Sequence, residues 1–370
     1  MLPPFKLERY FAQWEFTARY LLSSSDVEGW AMRDLLALAD DETRKLWEGL
    51  TLGYTESPGH PLLRAEVAKL YDSASPANVL NTVSAEEAIY CLMRVLLRPG
   101  DHVIATFPAY QSSYEVARGM GVDVEFWPLR PAGDRWRVDV DELRRMVRPN
   151  TKLIAVNFPN NPTGALPSHQ EWDGIVSVAR AANCHLFGDE VYRWMEYDPA
   201  HRLPAAVDSY ERGISIGAMS KSFGMAGLRV GWMATHDAEL LARVLAYKDY
   251  TTICASAPSE ILALMALRAK DKALARCMGI IKSNLALAEE FMRQHTRWFK
   301  WIPPRAGSVA FPEWLGEKPI DQFADELVRQ TGVMMLPASV FDVAEPRFRI
   351  GLGRAGFAQA LEELDGFLGE

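Results

Sequence analysis

The segment KLIAVNFPNNPTG, residues 152–164, decides the fold. Its first half is a short run of apolar and β-branched residues, as expected of a strand buried on both faces. Its second half is rich in Pro, Asn and Gly, which makes a turn. Taken alone, the turn asks for no function. In an α/β sheet, however, the loops at the carboxyl ends of the strands carry the chemistry.

Similar runs recur on both sides of this one: NVLNTV, HVIATF, VDVEFWPL, CHLFGDEVY, ISIGAM and RVGWMAT, between Val79 and about Thr235. Helical stretches lie between them: AEEAIYCLMRVLLRPG, YQSSYEVARGMG, DELRRMV and HQEWDGIVSVARAAN. Alternation of this kind predicts an α/β domain with a largely parallel sheet and crossover helices. Beyond it, one long helical pattern runs from Ile261 to about Gln294. Strand-like FKWIPP, SVAFPEW, GVMMLPA and RFRIGLG follow, with helices around IDQFADELVRQTG and GFAQALEELDGFLGE. This reads as a smaller α+β unit. The N-terminal PPFKLERYFAQWEFTARY predicts a helix lying on another surface.

Composition narrows the class. The chain has 370 residues, 49% hydrophobic and 24% charged, as expected of a soluble globular protein in two parts. A net charge of −8 argues against a broad nucleic-acid surface. No apolar run is long enough to span a bilayer, and the N-terminus lacks a signal-peptide pattern. Cys91, Cys184, Cys254 and Cys277 form no C-x-x-C pair and read as reduced thiols of a cytoplasmic protein. No H-E-x-x-H is present, so no metal site is expected. GLGRAG, residues 351–356, matches a dinucleotide fingerprint, but no room remains for the second strand. It reads as the turn before the last helix.

The loops after the strands supply Asn161, Asp189 with Tyr192, and Ser220 with Lys221; Ser84 opens a helix. Each has a structural reading. Ser84 with Glu87 fits a capping box, and Asp189 fits a helix cap. Pyridoxal phosphate (PLP) explains the set together. It needs a lysine amine for its aldehyde and a carboxylate beside its ring nitrogen. Its phosphate needs a helix N-terminus and a cation.

NNPTG, DEVY and SKSFGMAGLRVG, in this order, resemble the class I/II aminotransferases of the aspartate aminotransferase fold, fold type I of the PLP enzymes. LGYTESPGHPLLR, RPGDHVIATFPAYQSSY, VMMLPASVF and RFRIGL extend the resemblance over about residues 50–352. It implies a large PLP-binding domain, residues 46–255, with a mostly parallel seven-stranded sheet between helices. A small domain, residues 256–370, would be joined by the N-terminal segment, residues 1–45. Lys221 would form the Schiff base, Asp189 would pair with the ring nitrogen, and Tyr192 and Asn161 would donate to the ring oxygen. Tyr110 would stack on the ring. Ser220, Arg229, Ser84 and the amides of Ala85 and Glu86 would hold the phosphate. Tyr54 would reach the cofactor of a neighbouring subunit, so a homodimer is implied. Arg349, with Asn161 and Ser24, would hold the substrate.

Two positions depart from the pattern. Ala218 stands where a phosphate-binding serine is usual, and Glu86 where a hydroxyl residue is usual. An ionised glutamate repels phosphate, so its side chain is expected to point away. The implied reaction moves an amino group between an amino acid and a 2-oxo acid. A PLP-dependent lyase or cyclase is the alternative, since some stretches resemble capreomycidine synthase-like members. With a cationic substrate side chain, Asp26 or Glu28 would meet it. A non-catalytic ligand sensor would be expected to carry a DNA-binding extension, and this sequence has none.

Overall fold

The computed structural model describes residues 2–369. The seven apolar runs become the seven strands of one sheet: β1 Val79–Thr82, β2 His102–Phe107, β3 Asp123–Pro128, β4 Thr151–Asn157, β5 His185–Asp189, β6 Gly213–Ala218 and β7 Gly231–Thr235. Their order is β1-β7-β6-β5-β4-β2-β3. β7 pairs antiparallel with both neighbours, and the other pairings are parallel. The reason is local. Crossover helices such as Ala85–Leu96 and His169–Ala181 return the chain for parallel pairing. Between β6 and β7 only a loop with one short 3-10 turn, Ala226–Leu228, intervenes. The chain therefore comes back antiparallel, and that loop carries Lys221.

The sheet is buried on both faces. Ile104, Ile154, Val156 and Leu186 join the core on one side. Val103, Leu153, Ala155 and Phe187, one residue out of phase, join the core on the other. Each such aliphatic side chain contributes about 1.5–3 kcal/mol. Two buried faces explain why these strands read as continuous apolar runs.

The helical pattern expected from Ile261 to Gln294 is two helices, Ala257–Arg268 and Lys270–Gln294. The backbone leaves the helical region at Ala269, with φ −98° and ψ 26°. The first helix is buried all round from Glu260 to Leu267, inside the core next to β7. The second buries a stripe, Ala273, Cys277, Ile281, Ala288 and Phe291. Each satisfies a different packing surface, so the axis breaks between them. SVAFPEW likewise divides at Pro312 into Val309–Ala310 and Glu313–Trp314. Phe348–Gly351 lies between Val309–Ala310 and Leu336–Pro337. Among the described residues, no helix is long and apolar enough to cross a membrane.

The N-terminal helix, Lys6–Trp14, buries Leu7 and Phe11. Tyr20 bridges to Val333, and the Gly351 amide donates to the Leu22 carbonyl at 2.7 Å. GLGRAG serves this crossing. A Cβ on Gly351 would stand 1.7 Å from the Ser24 carbonyl oxygen, and one on Gly353 2.3 Å from that of Asp26. The glycines let residues 24–26 lie flat on the strand.

Candidate active site

The carboxyl ends of β4, β5 and β6, the start of helix Ala85–Leu96 and the Phe348–Gly351 strand meet at one cavity of about 350 Å³. All the site residues expected from the sequence line it, except Tyr54 and Ser24.

Asn157, the last residue of β4, organises the floor. Its Nδ2 donates to the Asp189 carbonyl at 2.9 Å, and its Oδ1 accepts from the Asn161 amide at 2.8 Å. Asn160 folds the NNPTG turn by accepting from the Thr163 amide and hydroxyl, at 3.2 and 2.6 Å. Gly164 closes it at φ +67°, where an added Cβ would lie 2.3 Å from Pro304. Ser222 ties the lysine loop to the DEVY turn, donating to the carbonyls of Val191 and Arg193 at 3.0 and 2.6 Å.

Asp189 is buried at the end of β5, and its Oδ1 accepts from the Val191 amide at 3.3 Å. Burial pushes its pKa up to about 6, opposed by that amide and by the Lys221 charge. Lys221 Nζ donates to Ser25 Oγ at 2.9 Å. Arg229 holds a left-handed backbone, φ 52° and ψ 52°, and its Nη1 donates to the Ala226 carbonyl at 3.0 Å. For a residue with a Cβ this conformation costs about 1–2 kcal/mol. Tyr110 donates from its hydroxyl to Glu8 Oε1 at 3.2 Å.

Arg349 is 1% exposed. Its Nε donates to the Ser23 carbonyl and its Nη1 to Asn161 Oδ1, both at 3.0 Å. Its Nη2 is buried with no partner. Burial lowers its pKa to about 10. Arg347 pairs with Glu313 at 3.0 Å and Arg354 with Asp26 at 2.8 Å, so neither competes for this place.

Ser84 caps the helix by accepting from the Glu87 amide at 3.2 Å, while Glu87 Oε2 accepts from the Val83 amide at 2.9 Å. The amides of Ala85 and Glu86 donate to no protein acceptor among the described residues. Two free amides at a helix start, with Arg229 on the same cavity, make an anion site. A buried carboxyl and a reachable amine complete a set of groups that fits PLP, and the unpartnered Arg349 nitrogen is left for a further anion.

A family model for aminotransferase class I and II matches residues 21–364. The chain belongs to that family. It is an enzyme, its cofactor is pyridoxal phosphate, and its fold is the fold type I architecture. It is 30% identical to capreomycidine synthase of Streptomyces vinaceus over 98% of this chain and 94% of that one. A PLP-dependent aminotransferase of Streptococcus suis superposes with TM-score 0.93 at 28% identity, covering 99% of this chain and 98% of that one. The PLP-dependent cyclase OrfR superposes with TM-score 0.91 at 27% identity, covering 100% and 97%.

Against this family frame, three expectations change. Ser24 does not line the cavity. Its backbone lies on Gly351, its side chain is buried without a partner, and the adjoining Ser25 faces Lys221 instead. Glu86 does not turn away to solvent. It lines the cavity, and its Oε2 is buried without a partner. Of the two acids considered for a cationic side chain, Asp26 lines the cavity, whereas Glu28 accepts from the Ala355 amide at 3.2 Å. Tyr54 is 90% exposed and lies outside its own chain's cavity. The sequence reading missed Glu8, Glu15, Ser25 and Asn157, all of which line the cavity.

Glu190, next to Asp189, faces the opposite way. Its Oε1 accepts from the Ala206 amide at 2.7 Å and Ser215 Oγ at 2.8 Å, and burial pushes its pKa up to about 7. An acid with a raised native pKa contributes stability that is fully present below its unfolded pKa and is lost as pH rises from there through the native value. The cofactor-free protein is therefore expected to lose thermal stability between about pH 4.5 and about pH 7. Glu190→Gln should flatten part of that slope, measured as melting temperature against pH. An unchanged slope would refute the assignment.

Proposed function

We propose that the enzyme transfers an amino group from an L-amino acid to a 2-oxo acid by a ping-pong sequence, as a cytoplasmic homodimer. The observation that carries this reading is the placement of Lys221, Asp189 and Arg349 around one cavity. PLP, when bound, supplies an aldehyde for amine exchange and a ring that accepts the electron pair left at the substrate Cα. Arg349 holds the substrate carboxylate with the nitrogen that has no protein partner, and Asn161 fixes the guanidinium plane. Lys221 Nζ would act as the base that takes the Cα proton and as the acid that returns it. Ser25 holds the amine in place between these transfers. Asp189 would hold a proton on the ring nitrogen. Ser84, Ser220, Arg229 and the amides of Ala85 and Glu86 would hold the phosphate, while Tyr110, Tyr192 and Asn161 would hold the ring. Exposed Tyr54, beside exposed Leu52, supports its assignment to the other subunit's cofactor. The same proposal divides the chain into residues 46–255, which carry the cofactor, and residues 256–370, joined by residues 1–45.

A second reading is elimination or cyclisation. Glu8, Glu15 and Asp26 line the cavity, and burial, Asp26 and Glu8 together raise the Glu15 pKa. With Asp26 paired to Arg354, Glu8 and Glu15 are the acids left to face a basic substrate side chain, and the likeness to capreomycidine synthase supports that reading. Lys221 would take the same Cα proton, and the fate of the substrate would differ.

The test is a single turnover of the PLP-loaded protein with a panel of amino acids. Release of 2-oxo acid with nitrogen retained on the protein supports transfer. Release of ammonia or of a cyclised amino acid supports the second reading. No reaction with any of them would overturn both. Arg349→Lys keeps the charge but loses the planar fork. It is expected to raise KM for amino acids by about 10- to 100-fold with little change in kcat. Reaction with an amine lacking the carboxylate should be unaffected. Equal effects on both would overturn the clamp.

A further inference from the structure

Glu86 stands where the sequence argues against a charged side chain, and the structure keeps that side chain in the cavity. It is the second residue of helix Ala85–Leu96, beside the free amides. Carboxyl oxygen Oε2 is buried without a hydrogen-bond partner, and so is Oγ of Ser112. The groups that face the carboxyl come from four elements. Glu8 comes from the N-terminal helix, and Tyr110 and Ser112 from the segment after β2. Asp189 ends β5, and Arg229 lies between β6 and β7. Among these, Arg229 is the cation. Lys221 and Arg349 line the same cavity, but cofactor attachment and the substrate carboxylate claim them in the reading above.

This is a carboxylate with two acidic neighbours and one guanidinium. A phosphate seated on the helix start would engage that guanidinium and add up to two negative charges beside the acid. A half-buried carboxylate with one oxygen, Oε2, buried and without a geometric hydrogen-bond partner stays ionised beside a phosphate only at added cost. The proton has a destination, since the neutral acid becomes a donor where the ionised one had only acceptors.

We propose that binding of the cofactor's phosphate is coupled to uptake of one proton from solvent by Glu86. The inference rests on the PLP reading of this cavity and adds a residue-specific linkage to it. Before cofactor binds, burial already pushes the Glu86 pKa up to about 7, with Glu8 and Asp189 raising it and Ser112 and Arg229 opposing. Phosphate binding moves it further in the same direction. PLP affinity therefore falls as pH rises above that value, because the proton must be taken from an increasingly alkaline solution.

The test compares PLP with pyridoxal, which carries the aldehyde but no phosphate. Titration calorimetry at about pH 8, in buffers of different ionisation heat, counts the protons taken up; free phosphate is by then fully ionised. The wild-type protein should take up close to one more proton with PLP than with pyridoxal, a comparison that needs no variant. In Glu86→Gln the difference should vanish. Its PLP affinity relative to wild type should improve by about tenfold for each pH unit above the titration. Equal proton counts for PLP and pyridoxal in the wild type, or an unchanged count in Glu86→Gln, would overturn the proposal. Borohydride reduction and mass analysis report attachment at Lys221 separately. If neither ligand attaches there, the PLP reading itself fails, and the linkage with it.

Discussion

Lys221→Ala is expected to lower turnover by about 10⁴-fold or more while leaving the protein folded. The fold should survive because the amine makes one hydrogen bond, to Ser25 Oγ at 2.9 Å, on the wall of an open cavity. Truncation leaves a hydroxyl facing that cavity, where water can reach it, so the stability cost should stay within about 0.5 kcal/mol. The chemical loss is much larger, because one nitrogen has two tasks. In the proposed function it attaches the cofactor and, once free, moves the Cα proton. Lys221→Arg should not rescue either task, since a guanidinium stays protonated and accepts no proton. Borohydride reduction should add cofactor mass to the peptide containing residue 221 in the wild type and not in the variant. Turnover of Lys221→Ala within tenfold of wild type would refute the assignment.

The residues that could be read from the sequence share a physical reason. A strand buried on both faces must be apolar at every position, so Leu153 to Val156 announce themselves without alignment. Strand ends then point to Asn161, Asp189 and Lys221, because that is where the sheet stops filling its own space. The break at Ala269 had no such trace. No Gly or Pro marks it, and it exists because two helices answer to two packing surfaces. Ser25 rather than Ser24 faces Lys221 because the approach of Gly351 fixes which side chain turns inward. That parity is a tertiary fact. Glu8 sits on an amphipathic helix and Glu15 caps its end; the period is legible, but it does not say what the polar edge overlooks. The left-handed backbone of Arg229 is equally silent, since an arginine, unlike glycine, asparagine or aspartate, does not advertise that region in a sequence. Glu86 is the most instructive case. Its charge predicts avoidance of a phosphate, yet packing holds it inside the cavity, and the conflict falls on its proton rather than on its position.

Asp189→Asn should show the second large loss, about 10²- to 10³-fold in kcat/KM. The substitution preserves shape, and the amide oxygen can still accept from the Val191 amide, now at 3.3 Å. What disappears is the negative charge proposed to hold a proton on the ring nitrogen. Removing one partner of a buried charge pair costs about 3–5 kcal/mol, which is the scale of the expected loss. The same variant should shift stability the other way. Asp189 in the cofactor-free protein has its pKa pushed up to about 6 by burial, above the usual carboxylate range. Ionising it at neutral pH therefore works against the fold, and stability falls as pH rises through that window. Asparagine has nothing to ionise. Cofactor-free Asp189→Asn should melt higher than wild type at neutral pH and match it more closely near pH 4, a window set by the two pKa values. Loss of activity together with gain of cofactor-free stability is the pattern of a charge kept for its ligand. A variant that lost both would mark Asp189 as a structural acid instead.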